Sequence, residues 1–231
     1  MKSTDLVILA GGKGKRLRSI TKNKIPKPLV KINNIPFLNY QLNYLSKFEI
    51  NKIIILCGYK GNQIYKKFNN KKINGKIIKC KIEKKQMGTG GALNVIKNKI
   101  SNYFFLVNGD TFFNINLDYL KKKFNKKYLG LMVLSNQIEK TKTKKLLNLN
   151  LNKNNEIINK KSKLINSGTY YFSKKILGYL NKKNQSLEKE IIPILIKKKK
   201  LVGSKSSAKL IDIGTPQNFK KSKNVLLKQI L

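Results

Sequence analysis

The chain has 231 residues, enough for one domain that buries about 70–75% of its unfolded surface. Lysine and arginine number 51 against ten carboxylates, and histidine is absent, which excludes Ser–His and Cys–His nucleophiles and any imidazole metal site. No apolar run reaches membrane-spanning length, and "MKSTDLVILAGG" enters a strand pattern without a basic-then-apolar leader, so a cytoplasmic protein with no membrane partner is expected.

Strand-like runs alternate with amphipathic helical ones along the chain. "DLVILA" (5–10) is a continuous apolar strand of the kind buried on both faces. "PFLNYQLNYLSKF" (36–48) places Phe37, Tyr40, Leu42, Tyr44, Leu45 and Phe48 at helical spacing behind a proline expected at N1. "KIIILCG" (52–58) is a strand and "NQIYKKF" a short helix; "KIIKCKIE" (76–83) alternates as a strand and leads into "QMGTGGALNVIKNKI", a glycine loop opening a helix. "YFFLVNGD" (103–110) is a buried strand ending on an aspartate, followed by helical "LDYLKKKF" and the strand "YLGLMVLS". "KLLNLNLNKNNEII" (145–158) predicts a hairpin around an Asn-rich turn. "SLEKEIIPILI" (186–196), N-capped by Ser186, and "TPQNFKKSKNVLLKQI" (215–230), with Pro216 at N1, close the chain as helices. This alternation predicts an α/β fold with a Rossmann-like, mostly parallel sheet flanked by helices and a small β-hairpin insertion. No repeat or linker divides it, so residues 1–231 are expected to form a single domain.

The formal charge of +41 raises nucleic-acid binding as a function. The excess is uniform in Lys, Asn and Ile, as an AT-rich genome would write it. A dedicated binding face would concentrate charge and favour arginine, yet only Arg16 and Arg18 occur, both in the opening stretch. No specific nucleic-acid partner is expected. Cys57 and Cys80 fall in separate strand-like runs and are expected to be two buried thiols, the alternative being a disulfide. A metal site must draw on Asp5, Glu49, Glu83, Asp110, Asp118, Glu139, Glu156, Glu188, Glu190 and Asp212.

The opening stretch "LAGGKGKRLRSITKNKIPKPL" (9–29) ends a strand on Gly11, Gly12 and Gly14, which lets backbone N–H groups turn toward an anion. It is neither a Walker A loop, since Lys15 precedes Arg16 and not Ser or Thr, nor a dinucleotide fingerprint, since position 17 is Leu. It carries fixed cations instead: Arg16, and Lys27 between Pro26 and Pro28, where both Ile25 and Lys27 are expected to be extended. For "PKP" alone an ordinary proline turn is the alternative.

These residues resemble the opening motif of the sugar-1-phosphate nucleotidylyltransferases, G-x-G-x-R followed by P-K-P. The likeness continues through "EKKQMGTGGAL", "LVNGDTFF", "INSGTYYF", "SLEKEIIP" and "LIDIGTP" in the family's order, over nearly the whole chain. Its wording is most similar to the D-glycero-α-D-manno-heptose 1-phosphate guanylyltransferase group, with mannose-1-phosphate guanylyltransferases and uridylyl- or thymidylyltransferring relatives as alternatives. The resemblance implies the nucleotide-diphospho-sugar transferase fold and attack of a sugar 1-phosphate oxygen on the α-phosphorus of a nucleoside triphosphate. It implies Mg²⁺ held by Asp110 and Asp212, with Arg16, Lys27 and Asp110 catalytic. Leu9, Ala10, Gly11, Gly12, Gly14, Glu83, Gly88 and Thr89 would bind the nucleotide, and Gly109, Lys161, Asn166, Gly168 and Glu188 the sugar phosphate.

Local alternatives stand beside these roles: an N-cap for Asp110, a Gly-Thr-Pro turn for Asp212, a helix first-turn carboxylate for Glu188. A carboxylate at Glu83 accepts the adjacent N1–H and N2–H₂ donors of guanine, which leans the base toward GTP. Two positions depart from the family pattern. Lys160 and Lys161 stand where a Glu-Lys pair is usual, and Leu147 where a glycine is, which leaves the sugar open. A nucleotide-binding regulatory module without turnover is the non-enzymatic alternative.

Overall fold

The computed structural model describes residues 3–136, 149–160, 162–181 and 184–227. In chain order its strands are β1 (Thr4–Ala10), β2 (Lys31–Ile32), β3 (Ile35–Pro36), β4 (Lys52–Cys57), β5 (Lys72–Ile73), β6 (Lys76–Ile82) and β7 (Tyr103–Asn108). They continue as β8 (Thr111–Phe113), β9 (Gly130–Ser135), β10 (Leu149–Leu151), β11 (Ile157–Asn159), β12 (Ile165–Ser173), β13 (Leu201–Ser206) and β14 (Leu210–Asp212). The α-helices are α1 (Arg18–Thr21), α2 (Phe37–Leu45), α3 (Gly61–Phe68), α4 (Gly88–Asn94), α5 (Leu117–Lys123), α6 (Ile192–Lys197) and α7 (Pro216–Leu227).

Eight strands form the central sheet in the order β13-β9-β12-β7-β1-β4-β6-β5. β1 pairs in parallel with β4 and β7, β4 with β6, and β9 with β13; β12 runs antiparallel between β7 and β9. The sheet is therefore mostly parallel, with helices on both faces. The period-2 alternation explains why. From β1, β4 and β7, the side chains of Leu6, Ile8, Ile53, Ile55, Phe105 and Val107 enter one core, with Leu38 and Leu42 of α2 and Ile64 of α3. Their neighbours Val7, Ile54, Leu56, Phe104 and Leu106 enter the other, with Leu93 of α4 and Leu195 of α6. A strand buried on both faces has to be apolar throughout, and "KIIILC" and "YFFLV" are.

A third apolar cluster lies at one end of the sheet. Leu17, Val30, Ile32, Phe37 and Tyr40 from the opening segment pack on Phe112, Ile211, Ile213 and Phe219. This cluster joins residues 17–40 to the β8–β14 pair, whose register sets Asp212 opposite Thr111. It is what brings the two ends of the sequence together.

Several boundaries differ from expectation. Pro36 is the N-cap of α2 and not N1. The helix after Ser186 starts as a π-turn over Leu187–Ile191 before α6, with Pro193 near the join; a proline there has no N–H to continue the i→i−4 ladder. Lys27 is not extended: it opens a 3₁₀ turn, Lys27–Leu29, behind an extended Pro26. The hairpin expected over 145–158 occurs as β10 and β11; its first residues lie outside the described ones.

Candidate active site

The C-terminal ends of β1, β4, β6 and β7 and the start of the antiparallel β12 lie on one edge of the sheet, where open α/β sheets bind ligands. A cleft of about 550 Å³ opens there, lined by Leu9, Ala10, Gly11, Gly12, Gly14, Arg16, Lys27, Glu83, Gly88, Thr89, Gly109, Asp110 and Glu188. All of these belong to the residues expected at the site. Sequence reading missed Lys15, Pro28, Gln86, Ala92, Asn108 and Gly214, which line it as well. Asn108 and Gly214 each sit two positions from Asp110 and Asp212 respectively, and that nearness was the available signal.

The opening loop is seated by Leu17, which is fully buried between Arg16 and Arg18. Burial of Leu17 in the third cluster leaves Arg16 on the cleft side. Its guanidinium packs on the turn after β14, so close that a Cβ on Gly214 would lie 3.0 Å from Arg16 Nη2. Gly14 adopts φ +59°, a conformation costly for a side-chain-bearing residue, and packs on the Lys27 stem. A Cβ on Gly12 would meet nothing within 4 Å, so this glycine keeps open space in the cleft.

Lys27 is 7% exposed. Its ammonium donates to Asp110 Oδ2 at 2.7 Å and lies 3.6 Å from Asp212 Oδ1. The aspartates come from distant parts of the chain, and the backbone ties them: Ile213 N–H donates to the Asp110 carbonyl at 3.1 Å. Asp212 also accepts the Gly214 N–H at 2.7 Å, so the turn role and the site role coexist in one side chain. Burial pushes the Asp212 carboxyl above the usual range; Lys27 opposes this, Asp110 adds to it, and the Gly214 N–H and Arg16 oppose it. Asp110 is no N-cap; its other oxygen faces the Thr111 hydroxyl at 3.3 Å.

Gln41 is a buried positioning group that sequence reading overlooked. From α2 its amide donates to the carbonyls of Asn108 (2.8 Å) and Thr111 (2.6 Å), pinning the turn that carries Gly109 and Asp110. A glutamine on the core face of an amphipathic helix was the signal.

Glu83 follows β6 and lies over Gly11, where an added Cβ would stand 2.8 Å from Glu83 Oε1. Burial raises its carboxyl above the ordinary value, partly offset by the Met87 N–H at 3.4 Å. Gly88, at φ +71°, has room for no side chain, since a Cβ would come within 2.5 Å of the Gln185 carbonyl oxygen.

Across the cleft, Glu188 accepts the Thr89 hydroxyl at 2.5 Å and the Ser186 hydroxyl at 3.3 Å. Asn166 and Gly168 are not on the lining. The Asn166 amide donates to the buried Tyr170 hydroxyl at 2.6 Å and its oxygen accepts the Gly168 N–H at 2.9 Å, so its polar atoms serve the bulged start of β12. Gly168 abuts the Asn108 side chain at φ +73°. Lys160 is exposed, whereas Lys161 and Leu147 lie outside the described residues. Cys57 and Cys80 are both buried free thiols.

No group of three or more Cys, Asp or Glu that could hold a metal occurs among the described residues. Asp110 and Asp212, two carboxylates meeting at one ammonium, fit the other kind of site, in which Mg²⁺ is held by one or two carboxylates and substrate phosphates complete the shell. No helix among the described residues is long and apolar enough to cross a membrane.

The chain matches the nucleotidyl transferase family over residues 6–229. It is 34% identical to the D-glycero-α-D-manno-heptose 1-phosphate guanylyltransferase of Campylobacter jejuni, over 92% of this chain and 96% of that protein. The Aneurinibacillus thermoaerophilus protein of the same name is 31% identical, over 96% and 98%. The solved structure of HddC from Yersinia pseudotuberculosis complexed with GMP-PN superposes with a TM-score of 0.77 at 28% identity, covering 97% of this chain and 99% of that one. Likeness at about a third identity over the length of both partners is more than a shared motif, and this chain belongs to the nucleotidyl transferase family.

Proposed function

We propose that this chain transfers a guanylyl group from GTP to D-glycero-α-D-manno-heptose 1-phosphate or a related sugar 1-phosphate, releasing pyrophosphate and forming a nucleotide sugar for a surface polysaccharide. The names of its relatives supply the substrates, and HddC was solved with GMP-PN. The observation that carries the reading is the buried Lys27 ammonium between Asp110 and Asp212, at the end of a glycine loop that also bears Arg16.

Two anions must approach each other in line in this reaction, so positioning and charge neutralisation outweigh covalent chemistry. The attacking phosphate oxygen is already ionised, and a histidine-free cleft suits it because no general base is needed. Its electrons form the new P–O bond at the α-phosphorus while the bond to the β-phosphate oxygen breaks, and pyrophosphate departs with that charge. Gly11, Gly12 and Gly14 offer backbone N–H groups to the triphosphate beside Leu9 and Ala10. Arg16 meets the tail where pyrophosphate charge accumulates, and Lys27 meets the phosphates that react. Asp110 and Asp212 would hold Mg²⁺, which supplies charge neutralisation at the reacting phosphates. Glu83 accepts from guanine N1–H and N2–H₂, with the Gly88–Thr89 segment beside the base. Gly109, Glu188 and, through the start of β12, Asn166 and Gly168 form the sugar-phosphate side, to which the family resemblance alone adds Lys161.

The test crosses GTP, UTP, dTTP, CTP and ATP with a panel of sugar 1-phosphates that includes the manno-heptose, with Mg²⁺ present and absent, reading pyrophosphate release. Release that is largest with GTP and the heptose and that requires Mg²⁺ is the expected result. Release with a different pair replaces the substrates, and silence across the panel overturns the enzymatic reading.

A further inference from the structure

Thr89 lies at the start of α4, on the nucleotide side of the cleft, yet its hydroxyl is directed to the opposite side. It donates to Glu188 Oε2 at 2.5 Å and accepts the Leu187 N–H at 2.9 Å. One hydroxyl therefore spends its donor and one acceptor position on two adjacent residues nearly a hundred positions away.

The contact belongs to a wider clamp. The Gln185 carbonyl accepts the N–H groups of Gly90 (2.9 Å) and Gly91 (3.1 Å), and Gln185 N–H donates to the Met87 carbonyl at 3.0 Å. Gly88 approaches the Gln185 carbonyl too closely for any Cβ. These bonds tie the segments 87–91 and 185–188 to each other, and Thr89 is the member whose side chain reaches an ionisable group. Glu188 has few other fixings: the Ser186 hydroxyl at 3.3 Å is a longer contact, and Ser186 Oγ also caps the Lys189 N–H. Without a fixed donor, a glutamate beside an open cleft loses its preferred rotamer and pays entropy to recover it on binding.

We propose that Thr89 is a positioning residue for the sugar side of the cleft, holding the Glu188 carboxylate where it accepts hydrogen bonds from the sugar 1-phosphate. This rests on the sugar 1-phosphate reading given above. Thr89 then acts on the second substrate through Glu188, while its own contact with the nucleotide is through the backbone alone.

The experiment measures the GTP dissociation constant by calorimetry without sugar, and kcat and KM for D-glycero-α-D-manno-heptose 1-phosphate, in wild type, Thr89→Val, Thr89→Ser, Glu188→Gln and the Thr89→Val/Glu188→Gln double variant. Thr89→Val keeps the side-chain shape and removes the hydroxyl. It is expected to raise the sugar KM about tenfold while the GTP dissociation constant stays within about twofold, as removal of one hydrogen bond to a charged group would give. Thr89→Ser is expected to restore the sugar KM to within about threefold. The double variant is expected to be no worse than Glu188→Gln alone, because both lesions act through one carboxylate. A GTP constant that rises as much as the sugar KM, or additive effects in the double variant, would overturn the coupling. Should Thr89→Val not fold, an unchanged sugar KM in Glu188→Gln overturns it equally. A wild type silent with the heptose and every other sugar 1-phosphate removes the reading beneath the proposal and the proposal with it, an outcome separate from a working enzyme whose KM ignores position 89.

Discussion

The Lys27 ammonium touches both Asp110 and Asp212, so neutralising it leaves two carboxylates facing each other beside Arg16. Lys27→Met is expected to lower kcat about 10²–10³-fold, the scale of losing one fixed charge-stabilising donor. Lys27 is also the main influence opposing the burial that raises the Asp212 carboxyl. The acid limb of the pH–rate profile should therefore move upward in the variant; an unmoved limb would mean that Lys27 and Asp212 do not interact in solution.

Asp212 itself gives a second test, in stability. Its carboxyl is raised in the folded state, so the stability it contributes is present below the unfolded-state value and is lost as pH rises through the folded one. At pH 7 that pH-linked part of its stability is gone. Asp212→Asn, whose amide oxygen can still accept the Gly214 N–H, should melt at or above the wild-type temperature at pH 7 while turnover falls more than about a hundredfold. A variant that melts lower and turns over normally would assign Asp212 to structure. Glu83 is raised by burial as well, and ionised Glu83 is what guanine needs, so kcat/KM for GTP should fall on the acid side above the ordinary glutamate value of about 4.3.

Among the elements, the tips of β1 and β4 meet through glycines that differ in what they protect. A Cβ on Gly58 would meet the Gly11 backbone, its Cα and carbonyl oxygen both at 2.7 Å, and backbone there has nowhere to go. A Cβ on Gly11 would meet the far end of Glu83 at 2.8 Å, and that side chain can swing away. Gly58→Ala should therefore lower stability by about 1–3 kcal/mol, as overpacking does. Gly11→Ala should fold with little loss, yet raise the KM for GTP and narrow the gap between GTP and UTP. Equal melting temperatures for the two variants in a thermal scan, or unaltered base preference in Gly11→Ala, would contradict this.

The elements also show which parts of the fold can be read from residue order. Strands such as β1, β4 and β7 are legible because burial on both faces demands an unbroken apolar run. β13 was not, since "LVGSKS" is half polar and follows four lysines, and its place beside β9 is decided by packing. The antiparallel direction of β12 leaves no trace in local pattern either. The extended conformation expected for Lys27 gave way to a 3₁₀ turn closed by the Leu29 N–H on the Pro26 carbonyl and the Val30 N–H on the Lys27 carbonyl, with the Lys27 ammonium on Asp110, 83 positions away. At the site, the resemblance of the motifs named Arg16, Lys27, Asp110 and Asp212, which the fold brings together, whereas the contacts of Gln41 and of the Thr89 hydroxyl are with partners that only folding brings near.

In the whole molecule, the site is an accident of no single segment. The third apolar cluster fastens the opening loop to β8 and β14, and the sheet carries Glu83, Gly88 and Asp110 to the same edge. The large positive charge is spread along the sequence. Lysine ammonium groups lie over aromatic rings at Tyr59, Phe68, Tyr119, Tyr128, Tyr179 and Phe219, spread along the length of the chain. Such a background favours approach of any phosphorylated substrate, and the cleft selects among them.

The central claim is transfer at the α-phosphorus, and following the label tests it most directly. GTP labelled on the α-phosphate, and separately on the γ-phosphate, is incubated with the enzyme, Mg²⁺ and D-glycero-α-D-manno-heptose 1-phosphate, and the products are separated. The account predicts the α label in a GDP-sugar and the γ label in pyrophosphate, in equal amounts. The γ label in orthophosphate, or the α label left in GTP, GDP or GMP, would contradict it.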